Sequence, residues 1–202
     1  LEQAGFDGLL IRAFEEIQWM REEQISFSAS FDASVYAWNH GAVHTLKEEQ
    51  AAFITAPWEL NSRELEPVFE ACRREGLPAE LIVYGRAPMM VSAQCITKTV
   101  KGCSKCPSLL WMKDRTGARL PVQNHCAFCY NTILNPLPVS LHGCADSVKR
   151  LAPEGLRLCF TIETGEETKA VLNAFAAEFI RGENAEPPFT EFTRGHFRRG
   201  VE

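Results

Sequence analysis

Three consecutive pieces decide the fold: Ala52-Phe53-Ile54-Thr55, then Ser62 through Glu75-Gly76, then Glu80-Leu81-Ile82-Val83-Tyr84. The outer two are short apolar runs, the pattern of strands buried in a sheet. Ser62 is a good helix N-cap and Gly76 a good C-terminal stop, so the middle piece predicts a helix to Glu75. Strand, helix and strand in this order make a βαβ unit, with parallel strands and the helix outside.

The same rhythm extends outward in both directions. Phe6 to Ile11 predicts a strand, and Glu15 to Glu23 a helix with Ile17 and Met20 on one face. Ile25 to Phe31 predicts a strand ending at Asp32. Ser34 to Gln50 predicts a helix with Val35, Trp38, Ala42 and Leu46 on one stripe. Beyond an interruption come a helix at about Ala145 to Leu151, a strand from Arg157 to Thr161, and a helix from Glu166 to Ile180. Thr164 caps that last helix and Gly182 stops it. The fold class is therefore α/β, an incomplete (β/α) barrel or an open sheet. The expectation is a partial (β/α) TIM-like barrel with a cysteine-rich insertion.

In a barrel, polar residues just past the strand ends converge on the C-terminal face, where sites are built. Here these are Arg12, Asp32, Glu59-Leu60-Asn61, Gly85-Arg86, and Thr161 with Glu163. Asp32, Glu59, Asn61 and Arg86 are the candidate substrate-binding residues. Arg86 suits an anionic ligand, because a guanidinium pairs with a carboxylate bidentately.

The interruption holds five of the eight cysteines, Cys95, Cys103, Cys106, Cys126 and Cys129, spaced C-x7-C-x2-C-x19-C-x2-C. Between them run Gly102, Pro107, Asp114-Arg115, Gly117 and Pro121, which give the segment little local reason to fold. Metal binding by several thiolates supplies one, since its free energy becomes folding free energy. The pairs Cys103/Cys106 and Cys126/Cys129 suit tetrahedral zinc, which spacing alone favours. An iron–sulfur cluster takes four thiolates with looser spacing, and unligated thiols are the third reading. Cys72, Cys144 and Cys159 stand singly and read as small buried hydrophobes.

Composition bounds the rest. A chain of 202 residues can bury a good core and reads most simply as one domain. Hydrophobic content of 46% and charged content of 23% are those of a globular protein. No apolar run approaches membrane-spanning length and no basic-then-apolar leader opens the chain, so the expectation is a cytoplasmic protein with no membrane partner. Reduced thiols fit that compartment. The net charge of −5 argues against a strong nonspecific polyanion binder. The tail is nonetheless basic, and Arg194, His196, Arg198 and Arg199 can touch phosphates; a solvated linker is the plainer reading.

Two patterns lead nowhere. His40 and His44 stand at i, i+4 with the zincin spacing, but the base position is Gly41, so the pair reads as structural. Serine-hydrolase elbows, P-loops and dinucleotide fingerprints find no match. Leu1 to Gly5 reads as the last turn of a helix with its glycine stop, and Gly200-Val201-Glu202 has no cap. Both ends suggest a piece of a longer protein.

Several short motifs occur in order: Tyr84-Gly85-Arg86-Ala87-Pro88-Met89-Met90-Val91, Lys113-Asp114-Arg115, Leu120-Pro121-Val122, Asn135-Pro136-Leu137 and Thr193-Arg194-Gly195-His196-Phe197-Arg198-Arg199-Gly200. Together they resemble the U-thirty-two peptidase family, the collagenase-like proteases, from about Phe6 to Gly200. The resemblance implies that residues 1–202 are the C-terminal portion of the family's barrel domain. Residues 1–90 would be βα units, 91–137 the cysteine-rich metal-binding insertion, 138–182 the final βα units and 183–202 the basic tail.

The family's name implies proteolysis, with catalytic residues unassigned. Its bacterial relatives imply hydroxylation of transfer or ribosomal RNA, or oxygen-independent ubiquinone hydroxylation. In those relatives four cysteines hold a four-iron four-sulfur cluster, and some RNA-modifying members use prephenate. Carried over, Cys95, Cys103, Cys106 and Cys126 look like the ligands, with Cys129 a fifth candidate for four places. The resemblance thus shifts the expectation from zinc to iron–sulfur. The expected function is support of RNA hydroxylation; a collagenase-like peptidase and a noncatalytic zinc-stabilised scaffold are the alternatives.

Overall fold

A computed structural model describes residues 5–103, 105 and 108–200. Cys106, most of the presumed N-terminal helical turn and the last two residues lie outside the described residues. The chain divides into two compact units. One comprises residues 5–83, 143–158 and 194–200, and the other Tyr84–His142 and Cys159–Thr193.

The first unit carries β1 (Gly8–Ile11), α1 (Phe14–Glu22), β2 (Ser28–Phe31), α2 (His40–Glu48), β3 (Ala51–Thr55), α3 (Ser62–Glu75) and most of β4 (Ala79–Gly85). It also carries α5 (Ala145–Leu151) and most of β10 (Gly155–Cys159). The strand order is β1-β2-β3-β4-β10. The first three pairings are parallel, with Ile11 opposite Phe31, Phe31 opposite Ile54, and Thr55 opposite Glu80. This is the α/β architecture expected, a parallel sheet with helices; among the described residues no pairing joins β1 to β10. β4 is buried along nearly its whole length, as a central parallel strand must be.

Helix α3 shows why these residues fold this way. Leu65, Val68, Phe69 and Cys72 recur at helical spacing and are all buried, with α2 and α5 packed against the helix. Gly76 ends it in the left-handed conformation, φ +58°. The cap is Asn61, one residue before the expected Ser62. Asn61 Oδ1 accepts from the Arg63 and Glu64 amides, and Glu64 reaches back to the Asn61 amide.

One long helix was expected over Ser34–Gln50. Instead a 3-10 turn, Ala33–Val35, precedes α2, which Asn39 caps at the Ala42 amide. Tyr36 between them takes φ +58°, which no helix can include, and Trp38 is exposed rather than in the core.

The second unit is built round an antiparallel sheet in the order β5-β8-β7-β6. Its strands are β5 (Pro88–Ser92), β6 (Ser108–Lys113), β7 (Arg119–His125) and β8 (Tyr130–Leu134), with helix α4 (Ile96–Lys101) between β5 and β6. The β6–β7 turn is an Asx turn: Asp114 Oδ1 accepts from the Thr116 and Ala118 amides, and Gly117 takes φ +93°. The short β9 (Val139–Ser140) pairs with Tyr84 and Gly85 at the end of β4. Helix α6 (Gly165–Phe175), capped by Thr164, runs into a π-helical turn, Ala176–Arg181, which ends at Gly182. Tyr84 packs its ring against Phe160, Phe175 and Phe189. No helix among the described residues is long and apolar enough to cross a membrane.

Candidate functional site

The cysteines lie in the second unit, and the sheet gathers two of them. Cys95 follows β5 and caps α4, where its Sγ accepts the Lys98 amide at 3.4 Å. Cys126 closes β7. Asn124, 4% exposed, lies between them: Nδ2 donates to Cys95 Sγ at 3.4 Å and Oδ1 accepts from Cys126 Sγ at 3.2 Å. The Lys98 amide, and after it Asn124, hold the Cys95 thiol below its ordinary range, toward the thiolate that binds metal. Opposite Asn124 in the ladder is Asn131, fully buried. Its Nδ2 donates to the Gln94 carbonyl, while Oδ1 has no partner among the described residues.

Cys129 stands in the β7–β8 turn, exposed, at φ +58°, with its Sγ 3.9 Å from the Cys126 carbonyl. Cys103 is exposed just past α4. Among the described residues no three potential ligands stand together as a metal site, and Cys106 is not one of them. The donor set still fits a thiolate-bound metal or cluster. One of its thiols is shifted toward the thiolate, and an amide N–H already addresses a sulfur, the contact by which proteins tune such clusters. Lys98, Lys101 and Lys105 are exposed along this segment.

Arg86 also belongs to the second unit. Its Nη1 donates to the Asn135 carbonyl at 3.1 Å and to that of Pro136. Its Nε lies 3.8 Å from Glu163 Oε1, buried, with no hydrogen-bond partner among the described residues. Glu163 is more fully engaged: Oε1 accepts from the Tyr84 hydroxyl at 3.0 Å and Oε2 from the Thr161 and Ile162 amides. Burial, and then the Glu163 carboxylate, raise the Tyr84 phenol above its ordinary range. Glu163 also lines a cleft of about 480 Å³ with Leu109, Gln123, His125 and Thr161. Gln123 Nε2 donates to the Thr161 carbonyl there, and Thr161 Oγ1 is buried without a hydrogen-bond partner among the described residues.

Asp32, Glu59 and Asn61 fall in the first unit. Asp32 is a knot in the sheet. Oδ2 lies 3.0 Å from Arg12 Nε, and Oδ1 accepts from Arg157 Nη1 at 2.9 Å and from the Ala33 amide. The same Nη1 reaches Thr55 and Glu80, so β3, β4 and β10 join the residue that follows β2 in one polar cluster. Glu59 keeps one carboxylate oxygen, Oε2, buried without a hydrogen-bond partner among the described residues. Asn61 is the α3 cap. His44 lies within ion-pair distance of Glu48 and Glu75.

The tail folds onto the α3 cap. Phe197 is buried and its carbonyl accepts the Ser62 amide. His196 Nδ1 lies 2.8 Å from the Gly200 carbonyl. Gly200, at φ +76°, stands where a Cβ would meet Asn61 Nδ2 at 2.8 Å, so no other residue fits without movement. Arg198 and Arg199 remain exposed.

Sequence reasoning missed Asn124, Asn131 and Arg157, since a lone Asn or Arg in a strand carries no motif. It also passed over a charge signal. From Val91 to Leu137 six cations, Lys98, Lys101, Lys105, Lys113, Arg115 and Arg119, stand against one carboxylate, Asp114, in a chain whose net charge is −5. A family model described as Peptidase family U32 matches residues 1–136, which include all five cysteines and Arg86 but not the tail. No curated protein and no solved structure matches the chain.

Proposed function

The chain belongs to peptidase family U32, and on that premise we propose that it is an iron–sulfur protein supporting hydroxylation of transfer or ribosomal RNA. The convergence of Cys95 and Cys126 on Asn124 carries this reading. Four of Cys95, Cys103, Cys106, Cys126 and Cys129 would hold a four-iron four-sulfur cluster, which would supply electron-transfer chemistry or pin the segment. The protein's own residues bind and orient. The Arg86 guanidinium, whose buried Nε makes no hydrogen bond among the described residues, suits a carboxylate of a small dianion such as prephenate. Glu163 holds Arg86 and the Tyr84 hydroxyl in place. The exposed Arg198 and Arg199 suit RNA phosphates.

The parallel sheet is read as part of a (β/α) barrel. Its order runs β1-β2-β3-β4 with no reversal, whereas a doubly wound sheet reverses at a switch point. An experimental structure of the whole protein with the outer edge of β1 unpaired would refute this.

The functional test is nucleoside mass spectrometry of RNA from cells lacking the protein. Loss of one hydroxylated nucleoside, restored by the wild type and not by Cys103→Ser, supports the reading. Unchanged RNA together with cleavage of casein or denatured collagen by the purified protein would replace it with the peptidase.

A further inference from the structure

We propose that one face of the antiparallel sheet, carrying Trp111, Arg119, His125 and Tyr130 with Phe128 at its edge, is the platform on which single-stranded RNA stacks its bases. The proposal rests on the RNA reading above and adds where the RNA lies.

The ladder puts these residues on one side. Alternate residues of a strand share a face, and the register pairs Lys113 with Arg119, Trp111 with Pro121, Leu109 with Gln123, Gln123 with Thr132, and His125 with Tyr130. Contacts confirm it. The Arg119 guanidinium lies 5.1 Å from the Trp111 ring centre. The His125 and Tyr130 rings stack at 4.4 Å, with His125 Nε2 3.2 Å from Thr132 Oγ1, and Phe128 lies 6.4 Å beyond.

Two stacking stations result, Trp111/Arg119 and His125/Tyr130/Phe128. Pro121, opposite Trp111, and His125 stand four positions apart on β7, about 13 Å at a strand's rise, with Gln123, bonded to the Thr161 carbonyl, between them. Trp111 is 47% exposed and Phe128 78%, while His125 and Tyr130 are half-buried. Scattered exposed aromatics need no explanation, but here they share a face with cations.

The chemistry selects the occupant. Lys113, Arg115 and Arg119 cluster at one end, and the one carboxylate among them, Asp114, is tied into its own turn. A protein partner would favour a face depleted in lysine and charge. Aromatic rings interleaved with exposed cations are instead the platform for single-stranded nucleic acid, because every base has a π-face and every nucleotide a phosphate. A duplex stacks its bases on each other and has none to offer. The cleft lined by Leu109, Gln123, His125 and Thr161 borders the same face, and the hairpin that carries Phe128 and Tyr130 also carries Cys126 and Cys129.

The test is fluorescence anisotropy of a labelled mixed-sequence single-stranded RNA, with its duplex as comparison, on the full-length protein over a range of salt. Trp111→Ala should weaken single-strand binding roughly tenfold, and Trp111→Phe should restore most of it, with circular dichroism unchanged in both. Lys113→Ala with Arg115→Ala should flatten the dependence of log affinity on log salt by roughly 0.7 per cation removed. Wild-type affinity in all these variants would place the RNA elsewhere and overturn the platform while leaving the RNA reading intact. No RNA binding by the wild type would overturn both. Tighter binding of the duplex, or displacement of RNA from Trp111 by an unfolded protein such as casein, would also reject a single-strand platform.

Discussion

Asn124 joins Cys95 to Cys126: one side-chain amide donates to the first sulfur at 3.4 Å and accepts from the second at 3.2 Å. The amide is buried, and neighbouring strands hold it on both sides, at Ser108 and Asn131. Two cysteines 31 positions apart in sequence are therefore brought together by sheet pairing.

Asn124→Ala should leave the sheet paired but weaken metal retention roughly tenfold or more, the usual effect of removing a group that orients a ligand. Chelator competition on anaerobically prepared protein reads this. Retention equal to wild type would remove Asn124 from the metal site.

Cysteine substitutions separate ligands from packing. Cys103→Ser should lose metal and loosen the Ser92 to Asn135 segment. Cys72 is 2% exposed on α3, and burial pushes its thiol up to about 11, so it is neutral and inert. Cys72→Ser should keep the metal and lower stability by about 1–3 kcal/mol through its buried hydroxyl. Equal metal content in the two variants would show that the ligands are misassigned.

Arg86→Ala should retain metal and lose affinity for prephenate-like dianions. Isothermal titration of such a dianion, beside iron analysis, reads both quantities. Unchanged affinity would confine Arg86 to bracing the Asn135–Pro136 loop, to whose carbonyls it already donates.

Tyr84 predicts a pH dependence. Burial first, and the Glu163 carboxylate second, raise its phenol above the unfolded value of about 10. The neutral phenol is thus favoured in the fold. Its stabilisation is fully present below about pH 10 and fades as pH rises toward the higher folded value. Tyr84→Phe should lower stability at pH 8 by about 1–3 kcal/mol, because Glu163 Oε1 loses its donor. It should also flatten the loss of stability above about pH 10. Urea midpoints of the two proteins across that range test this, and parallel curves would deny it. Cys72 titrates alike in both and cancels.

The first unit was largely legible in the sequence because its signals are local. The α3 helix ends at Glu75 and Gly76 as its periodicity and glycine require, and α5 falls on Ala145–Leu151. The second unit was less so. The cysteine spacing drew attention from a period-two pattern in Ser108–Lys113 and Arg119–His125, with Asp114 to Gly117 as the turn between them. At the site, spacing pointed to the cysteines, and a place just past a strand end pointed to Arg86. Asn124, Glu163 and Tyr84 act through partners far away in the chain, and only the folded sheet reveals which residues those are.

The central claim is an iron–sulfur centre on the cysteine sheet. The direct measurement is the iron, zinc and acid-labile sulfide content of the full-length protein purified without oxygen, with its visible spectrum. The account predicts about four irons and four sulfides per chain and a broad brown absorption that fades in air. One zinc per chain with no sulfide would contradict it and leave the cysteine segment as a structural clip.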